Sequence, residues 1–354
     1  MTVNKNTALV VGGNGIIGRN MVSYLEGTGN WEVIVTSQSP LGYETEASYV
    51  ALDLSRADSI EAERERLQTV THVFFAAYVE RKTLSEQTAD NLQLLVNLVR
   101  GIERVAPEFR HLTFIQGGKA YGAHLGIYKT PAKERDARHF PPNFYYSQED
   151  FLRAQSAGKN WSWTALRPDV VIGMAIGNPM NLGTLIAVYA SLCKELGVPM
   201  RFPGPNQAYE VLVNVTDATL LAKGMEFASL NPACKNEIFN ITNGDIFRWK
   251  QLWPEIAAYF GIQAAEPQTF SLAEYMADKG GLWTEMSRKY GLVEYPFEKL
   301  VQWPFGDFIF NTVHDAFFDV NKFRRAGFQE MTLDSLDAFI SVFEQLKEHR
   351  VIPA

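Results

Sequence analysis

Leu9-Val10-Val11-Gly12-Gly13-Asn14-Gly15-Ile16-Ile17-Gly18 passes from an apolar run through a cluster of glycines into a helical pattern. The run from Ala8 to Val11 has the look of a buried strand. After the glycines, Ile16, Ile17, Met21, Val22 and Leu25 recur at helical spacing. Strand, glycine turn and helix in that order is the context in which a glycine pattern holds a dinucleotide. Gly13, Gly15 and Gly18 fit G-x-G-x-x-G, and Gly12, Gly15 and Gly18 fit the looser G-x-x-G-x-x-G. Gly12 and Gly15 permit a tight turn and close approach of a pyrophosphate. Gly18 permits close packing of helix on strand. The phosphates would rest on free N–H groups at the helix start. An ordinary strand–helix turn needing positive φ is the plainer alternative.

The 354 residues suffice for one large α/β unit or a core plus a smaller lobe. With 46% hydrophobic and 21% charged residues the chain is an ordinary globular protein. Lys plus Arg number 33 against 40 Asp plus Glu, a net charge of −7, and no basic run offsets it; nucleic acid is not an expected partner. Cys193 and Cys234 stand far apart and are expected as buried apolar fillers, with no disulfide framework or zinc site. The first strand begins at about Ala8, leaving no room for a signal peptide, and no apolar run approaches a membrane span. A soluble, cytoplasmic setting is the expectation.

Strands are predicted at Trp31 to Thr36, Tyr49 to Asp53, Thr71 to Ala77, Leu112 to Gln116 and Trp163 to Leu166. Helices are predicted at Ser59 to Leu67, Gln87 to Val105 and Tyr145 to Ala157. This βαβ alternation predicts a doubly wound parallel Rossmann sheet over residues 1–175. Residues 117–142, rich in glycine, charge and proline, read as a long functional loop. Residues 176–354 are expected to form a smaller, mostly helical lobe that covers the substrate and sends segments back to the core. Its predicted helices are Thr184 to Leu196, Asp217 to Ala228, Arg248 to Phe260, Leu272 to Tyr290 and Thr332 to His349, with a strand at Glu237 to Thr242.

After the second strand an acidic residue would favour NAD and an arginine NADP. The chain has Thr36-Ser37-Gln38-Ser39-Pro40, which is neither. No carboxylate repels a 2′-phosphate there, and the Ser37 and Ser39 hydroxyls offer it donors, so NADPH is expected and NADH not excluded. Asp53 is a candidate adenine contact, or simply a cap for the next helix. Hydride transfer needs a donor for the oxygen on which charge develops, and a tyrosine beside a lysine supplies it. Tyr-x-x-x-Lys occurs at Tyr78, Tyr275 and Tyr295, each misplaced for a helix after the fifth strand; Tyr78 is expected in the pocket wall. The tyrosines of that helix, Tyr145 and Tyr146, have Glu149 and Asp150 where a lysine usually stands. Lys119, just past the fifth strand, is the nearby ammonium.

Asn143-Phe144-Tyr145-Tyr146 followed by Glu149-Asp150 is the most specific of several motifs. The others are the Gly12–Gly18 loop, His72-Val73-Phe74-Phe75, Arg167-Pro168, Met180-Asn181-Leu182 with Gly183-Thr184-Leu185, Met200-Arg201-Phe202, Phe239-Asn240 with Asn243-Gly244-Asp245, and Phe305-Gly306-Asp307. On these the whole chain resembles the progesterone 5β-reductase and iridoid synthase-like (PRISE) enzymes, atypical short-chain dehydrogenases. The resemblance implies NADPH-dependent reduction of an activated C=C bond in a small enone or enal, with hydride going to the β-carbon. It implies that the second motif tyrosine, Tyr146, is catalytic with Lys119. It also implies cofactor contacts at Asn14, Gly15, Ile16, Asp53, Leu54, Ala77, Gln116, Val171, Asn178, Pro179 and Met180. Tyr78 and Phe144 fall in the substrate pocket. Plant members carry paired basic residues where this chain has Gln38-Ser39, and often a tryptophan where it has Tyr78.

Two other readings stand beside this one. A carbonyl reductase, dehydrogenase or epimerase of the extended short-chain type lacks a well-placed Tyr-x-x-x-Lys. A non-catalytic dinucleotide sensor leaves Tyr146 and Lys119 unused. There is no His-Glu-x-x-His helix, Gly-x-Ser-x-Gly turn or Walker loop, so no metal is expected. A homodimer is left open.

Overall fold

The computed structural model of the chain describes residues 5–178 and 180–354; the expected cofactor contact Pro179 lies outside them. In chain order the strands are β1 (Asn6–Val11), β2 (Trp31–Thr36), β3 (Ser48–Tyr49), β4 (His72–Phe75), β5 (His111–Ile115), β6 (Ser162–Pro168), β7 (Val170–Ile172), β8 (Met200–Arg201), β9 (Val215–Asp217), β10 (Glu237–Ile241) and β11 (Ala264–Ala265). Seven of them form one sheet in the order β10-β6-β5-β4-β1-β2-β3, parallel throughout. This is the expected Rossmann architecture. Strand order reverses beside β1, so the glycine loop at its end opens at the switch point where such sheets bind ligands.

The central strands are apolar on both sides because both faces are covered. Leu9 and Val11 join a core with Leu95, Val99 and Ile102 of a long helix, whereas Ala8 and Val10 join Met21, Val22 and Leu25. The helices of the first half are α1 (Ile16–Thr28), α2 (Ser59–Ala62), α3 (Arg64–Leu67), α4 (Leu84–Val105) and α5 (Phe144–Gln155). A third core belongs to the second half, where α6 (Leu182–Leu196) packs with Trp249, Trp253, Phe310, Phe339 and Phe343. That half is not separate from the sheet: β10 pairs with β6 from Glu237↔Thr164 to Ile241↔Pro168, and β9 pairs with β7.

Several expected elements differ in extent. The third strand shrinks to Ser48–Tyr49, although Val50 and Leu52 are buried. The Ser59 to Leu67 helix breaks at Glu63, and Leu272 to Tyr290 splits into Leu272–Tyr275 and Gly280–Tyr290. The second break falls just before Gly280-Gly281, a pair that favours chain freedom over helix. Both cysteines are free and buried. Among the described residues no helix is long and apolar enough to cross a membrane, and no side-chain cluster offers a metal site.

Candidate active site

Backbone geometry comes first. Gly12 has φ +96°, and a Cβ there would stand 3.0 Å from backbone atoms of Ala76 and Ala77. A Cβ on Gly18 would lie 2.2 Å from the Gly12 carbonyl oxygen, so α1 can lie on the loop only if residue 18 is bare. Gly12 N and Gly13 N both donate to Thr36 O (3.0 and 2.9 Å), fastening the loop to the end of β2. α1 opens at Gly15 with no side chain capping it. Its first N–H groups are thus left for an anion, and Gly12, Asn14, Gly15, Ile16 and Ile17 line a cleft of about 1340 Å³. Gly18 packs behind the lining. The bare backbone and free donors suit a pyrophosphate.

The cleft runs on past Ser37, Gln38, Ser39, Asp53 and Leu54. The Asn14 amide donates to Ser37 Oγ (3.3 Å), Ser39 Oγ (3.1 Å) and Pro40 O (3.0 Å), which holds this turn against the glycine loop. The Asp53 carboxylate accepts from Ser55 Oγ (2.6 Å) and Ser55 N (3.0 Å), and those bonds hold it below the usual carboxylate range. Ala77, Gln116, Val171, Asn178 and Met180 line the same cleft, as do Tyr78, Phe144 and Lys119. Apart from Gly18, Tyr146 and the undescribed Pro179, the residues expected at the site therefore share one cavity.

Tyr146 is the exception that matters. It is 7% exposed and does not line the cleft. Its hydroxyl donates to Ala120 O (2.7 Å) and accepts from His139 N (3.1 Å), and the Arg138 guanidinium lies 4.8 Å from its ring centre. Tyr145 lines the cleft instead; its hydroxyl would lie 3.4 Å from a Cβ on Gly117, which is bare. Of the two motif tyrosines it is therefore Tyr145, not the expected Tyr146, that lines the cleft. One residue along a helix turns the side chain by about 100°, and the cap sets which of the two faces in. Asn143 caps α5 by accepting from Tyr145 N (3.0 Å), and its amide donates to Lys119 O (2.8 Å). A single buried side chain therefore ties the tyrosine helix to the lysine turn, Gly118–Tyr121.

Behind this junction the Tyr145 carbonyl accepts from Gln116 Nε2 (3.1 Å), and Gln116 Oε1 accepts from Arg167 Nε (2.6 Å). Arg167 faces the buried Glu149 at 3.6 Å. Glu149 also pairs with Arg138 and Arg153 (3.1 and 3.0 Å), which is where the motif's acidic residue finds its use. In the cleft Lys119 Nζ stands 3.4 Å from Tyr78 Oη. Burial lowers the Lys119 ammonium from its ordinary range, against the pull of Glu80. Burial raises Tyr78 to about 12 and pushes Tyr145 higher still, so both phenols are protonated donors at neutral pH. Sequence reasoning missed Tyr145 as the inward hydroxyl, and it missed Asp169, Tyr128, His124 and Asn214, which line the same cavity. Asp169 was within reach of it: the residue directly follows the Arg167-Pro168 strand end.

A family model, the PRISE-like Rossmann-fold domain, matches residues 51–353. The short chain dehydrogenase gsfE of Penicillium aethiopicum is 34% identical, over 98% of this chain and 99% of that protein. The 3-oxo-Delta(4,5)-steroid 5-beta-reductase of Arabidopsis thaliana is 32% identical over 99% and 94%. The (S)-8-oxocitronellyl enol synthase of Nepeta racemosa is 30% identical, also over 99% and 94%. Among solved structures, the Bordetella bronchiseptica enzyme WbmG in complex with NAD and UDP superposes with a TM-score of 0.65 at 16% identity, over 98% of this chain and 96% of that one. That likeness concerns the fold.

Proposed function

Since the chain belongs to the PRISE-like Rossmann-fold family, we propose that this oxidoreductase reduces the C=C bond of a small enone or enal with NADPH, using Tyr145 and Lys119. The observation that supports the reading is that Tyr145 and Lys119 line one cavity with the glycine loop, their backbones joined through Asn143. Relatives named for a steroid enone and for an enol product support it.

The glycine loop and the uncapped start of α1 hold the pyrophosphate; Ser37, Gln38 and Ser39 face the adenosine ribose with hydroxyl and amide groups and no carboxylate. Bound there, the reduced nicotinamide supplies a hydride to the substrate β-carbon. Tyr145 Oη donates to the substrate carbonyl oxygen, which receives the electron pair as the C=C bond opens. The Lys119 charge favours the resulting enolate, and the cavity keeps that charge poorly screened, where such donors count most. The α-carbon then takes a proton from water. Tyr78 and Phe144, 5.6 Å apart, wall the substrate.

The test is product identity and rate with a cyclic enone, a citral-type enal, a steroid enone and simple aldehydes, under NADPH and under NADH. Saturated carbonyl product is expected, faster with NADPH. Tyr145→Phe should lower kcat by about 10²–10³-fold, the usual loss for one oxyanion donor, with cofactor affinity kept. Tyr146→Phe should keep its rate and lose only stability, about 1 kcal/mol for a buried hydrogen bond. Alcohol product, or the reverse ranking of the two variants, overturns the assignment.

A further inference from the structure

The cavity holds a second polar group that the reduction does not use. Asp169 lies at the end of β6 and lines the cleft. Its carboxyl is held in place: the buried Asn214 amide, with its oxygen accepting from Phe318 N (3.2 Å), donates to Asp169 Oδ2 (2.8 Å). The backbone N of Asp169 donates to Thr216 Oγ1 (3.1 Å). The other carboxyl oxygen turns toward Gly118, 3.9 Å from where a Cβ would be. Near enough to feel the Asp169 charge is a second covered group. Tyr128 lines the cleft, yet its hydroxyl is covered and has no partner, and the Asp169 charge adds to burial in raising that phenol. The same cleft is lined by Val213, Trp249, Phe305 and Ile309, and the His314 ring stands 6.0 Å from the Tyr128 ring. The Asp169 carboxyl thus has one side-chain donor, Asn214, beside the backbone of Val170, and keeps acceptor capacity for a further donor.

We propose that Asp169, positioned by Asn214, binds a hydroxyl on the non-reacting part of the substrate. The cleft then selects hydroxyl-bearing enones over bare hydrocarbon ones. A hydroxyl fits better than other oxygen groups. It donates to a carboxylate and accepts from a carboxylic acid, so it serves either form of Asp169, whose carboxyl burial pushes up to about 7. A carbonyl serves only the acid form, and an anionic arm would meet the carboxylate. The inference rests on the enone reading only for what occupies the Tyr145 end.

The test is a binding titration that needs no turnover. Protein saturated with oxidised cofactor is titrated calorimetrically with a cyclic enone, the same ring with a hydroxymethyl arm, and the same ring with a carboxymethyl arm. Wild type is expected to bind the hydroxyl form about tenfold tighter than the bare ring, the worth of one charge-assisted hydrogen bond, and the acid form no better than the bare ring. In Asp169→Ala the hydroxyl advantage should vanish while bare-ring affinity stays. Asp169→Asn, which keeps the shape and the contact to Asn214, guards against a folding defect and should retain part of it. Equal affinities in wild type, or an undiminished advantage in Asp169→Ala, overturn the subsite. Failure of the reductase reading shows separately, as absent C=C reduction of the bare ring by wild type with NADPH.

Discussion

Tyr145 and Tyr146 are adjacent in sequence and face different surroundings. One lines the cleft; the other is spent on the Ala120 carbonyl and the His139 amide. The motif located the helix start, the cap and the lysine turn, yet it could not say which hydroxyl faces in, because that depends on the direction from which the Asn143 cap feeds the chain into α5. The glycines were fully legible, since their requirement is local: a bare backbone at a fixed offset from a strand. Gly18 makes this measurable. Its Cβ would meet the Gly12 carbonyl at 2.2 Å, a backbone contact no rotamer relieves. Gly18→Ala should lose more than about tenfold in cofactor affinity and about 1–3 kcal/mol in stability, read by cofactor titration and urea unfolding. Unchanged affinity would mean the loop does not hold the dinucleotide.

At the scale of elements, periodicity recovered burial better than pairing. Val50 and Leu52, within the expected Tyr49 to Asp53 strand, are buried, but β3 ends at Tyr49, because inward-facing residues need no ladder partner to be inward. The paired strands β4 and β5 carry a consequence of their own. His72 and His111 are register partners, each bonded to a neighbouring hydroxyl, Thr71 and Ser162, at 2.9 Å. Burial lowers His72 to about 4, helped by the Arg110 charge, and His111 to about 3, helped by His72 and Lys235. Depressed histidines are protonated first in the unfolded chain. Their stabilisation is complete above about pH 6.5 and drains away as pH falls toward 4 and 3. At about pH 5 each should have lost about 2 kcal/mol. Urea midpoints between about pH 7.5 and pH 5 should fall less steeply for His111→Gln than for wild type; parallel slopes would refute this.

For the molecule as a whole, the βαβ order revealed the sheet and the second half was expected to send segments back to the core, but which strand returns and where it pairs was not legible. A strand like β10 reads the same in a separate lobe as on a sheet edge, and only its partner β6 decides. The partition at residue 175 therefore divides the sequence but not the sheet. A chain cut after residue 175 would leave the β6 edge unpaired and strip β7 of β9. An exposed apolar edge invites pairing with other copies. Such a fragment should associate into large species by light scattering, where the full chain does not; a stable fragment of its own mass would contradict the shared sheet.

Asn143 fastens the base of the stretch that begins at Lys119, holding its two ends together whatever runs between them. The intervening segment, from about residue 122 to 142, is anchored from within as well: His139 Nε2 lies 2.9 Å from the Lys119 carbonyl oxygen, and Ala132 bridges to Phe318. It carries His124 and Tyr128 into the cavity. Exchanging only the tip that carries His124 and Tyr128, with His139 kept, is therefore expected to alter selectivity and to leave the proposed Tyr145 and Lys119 where they stand.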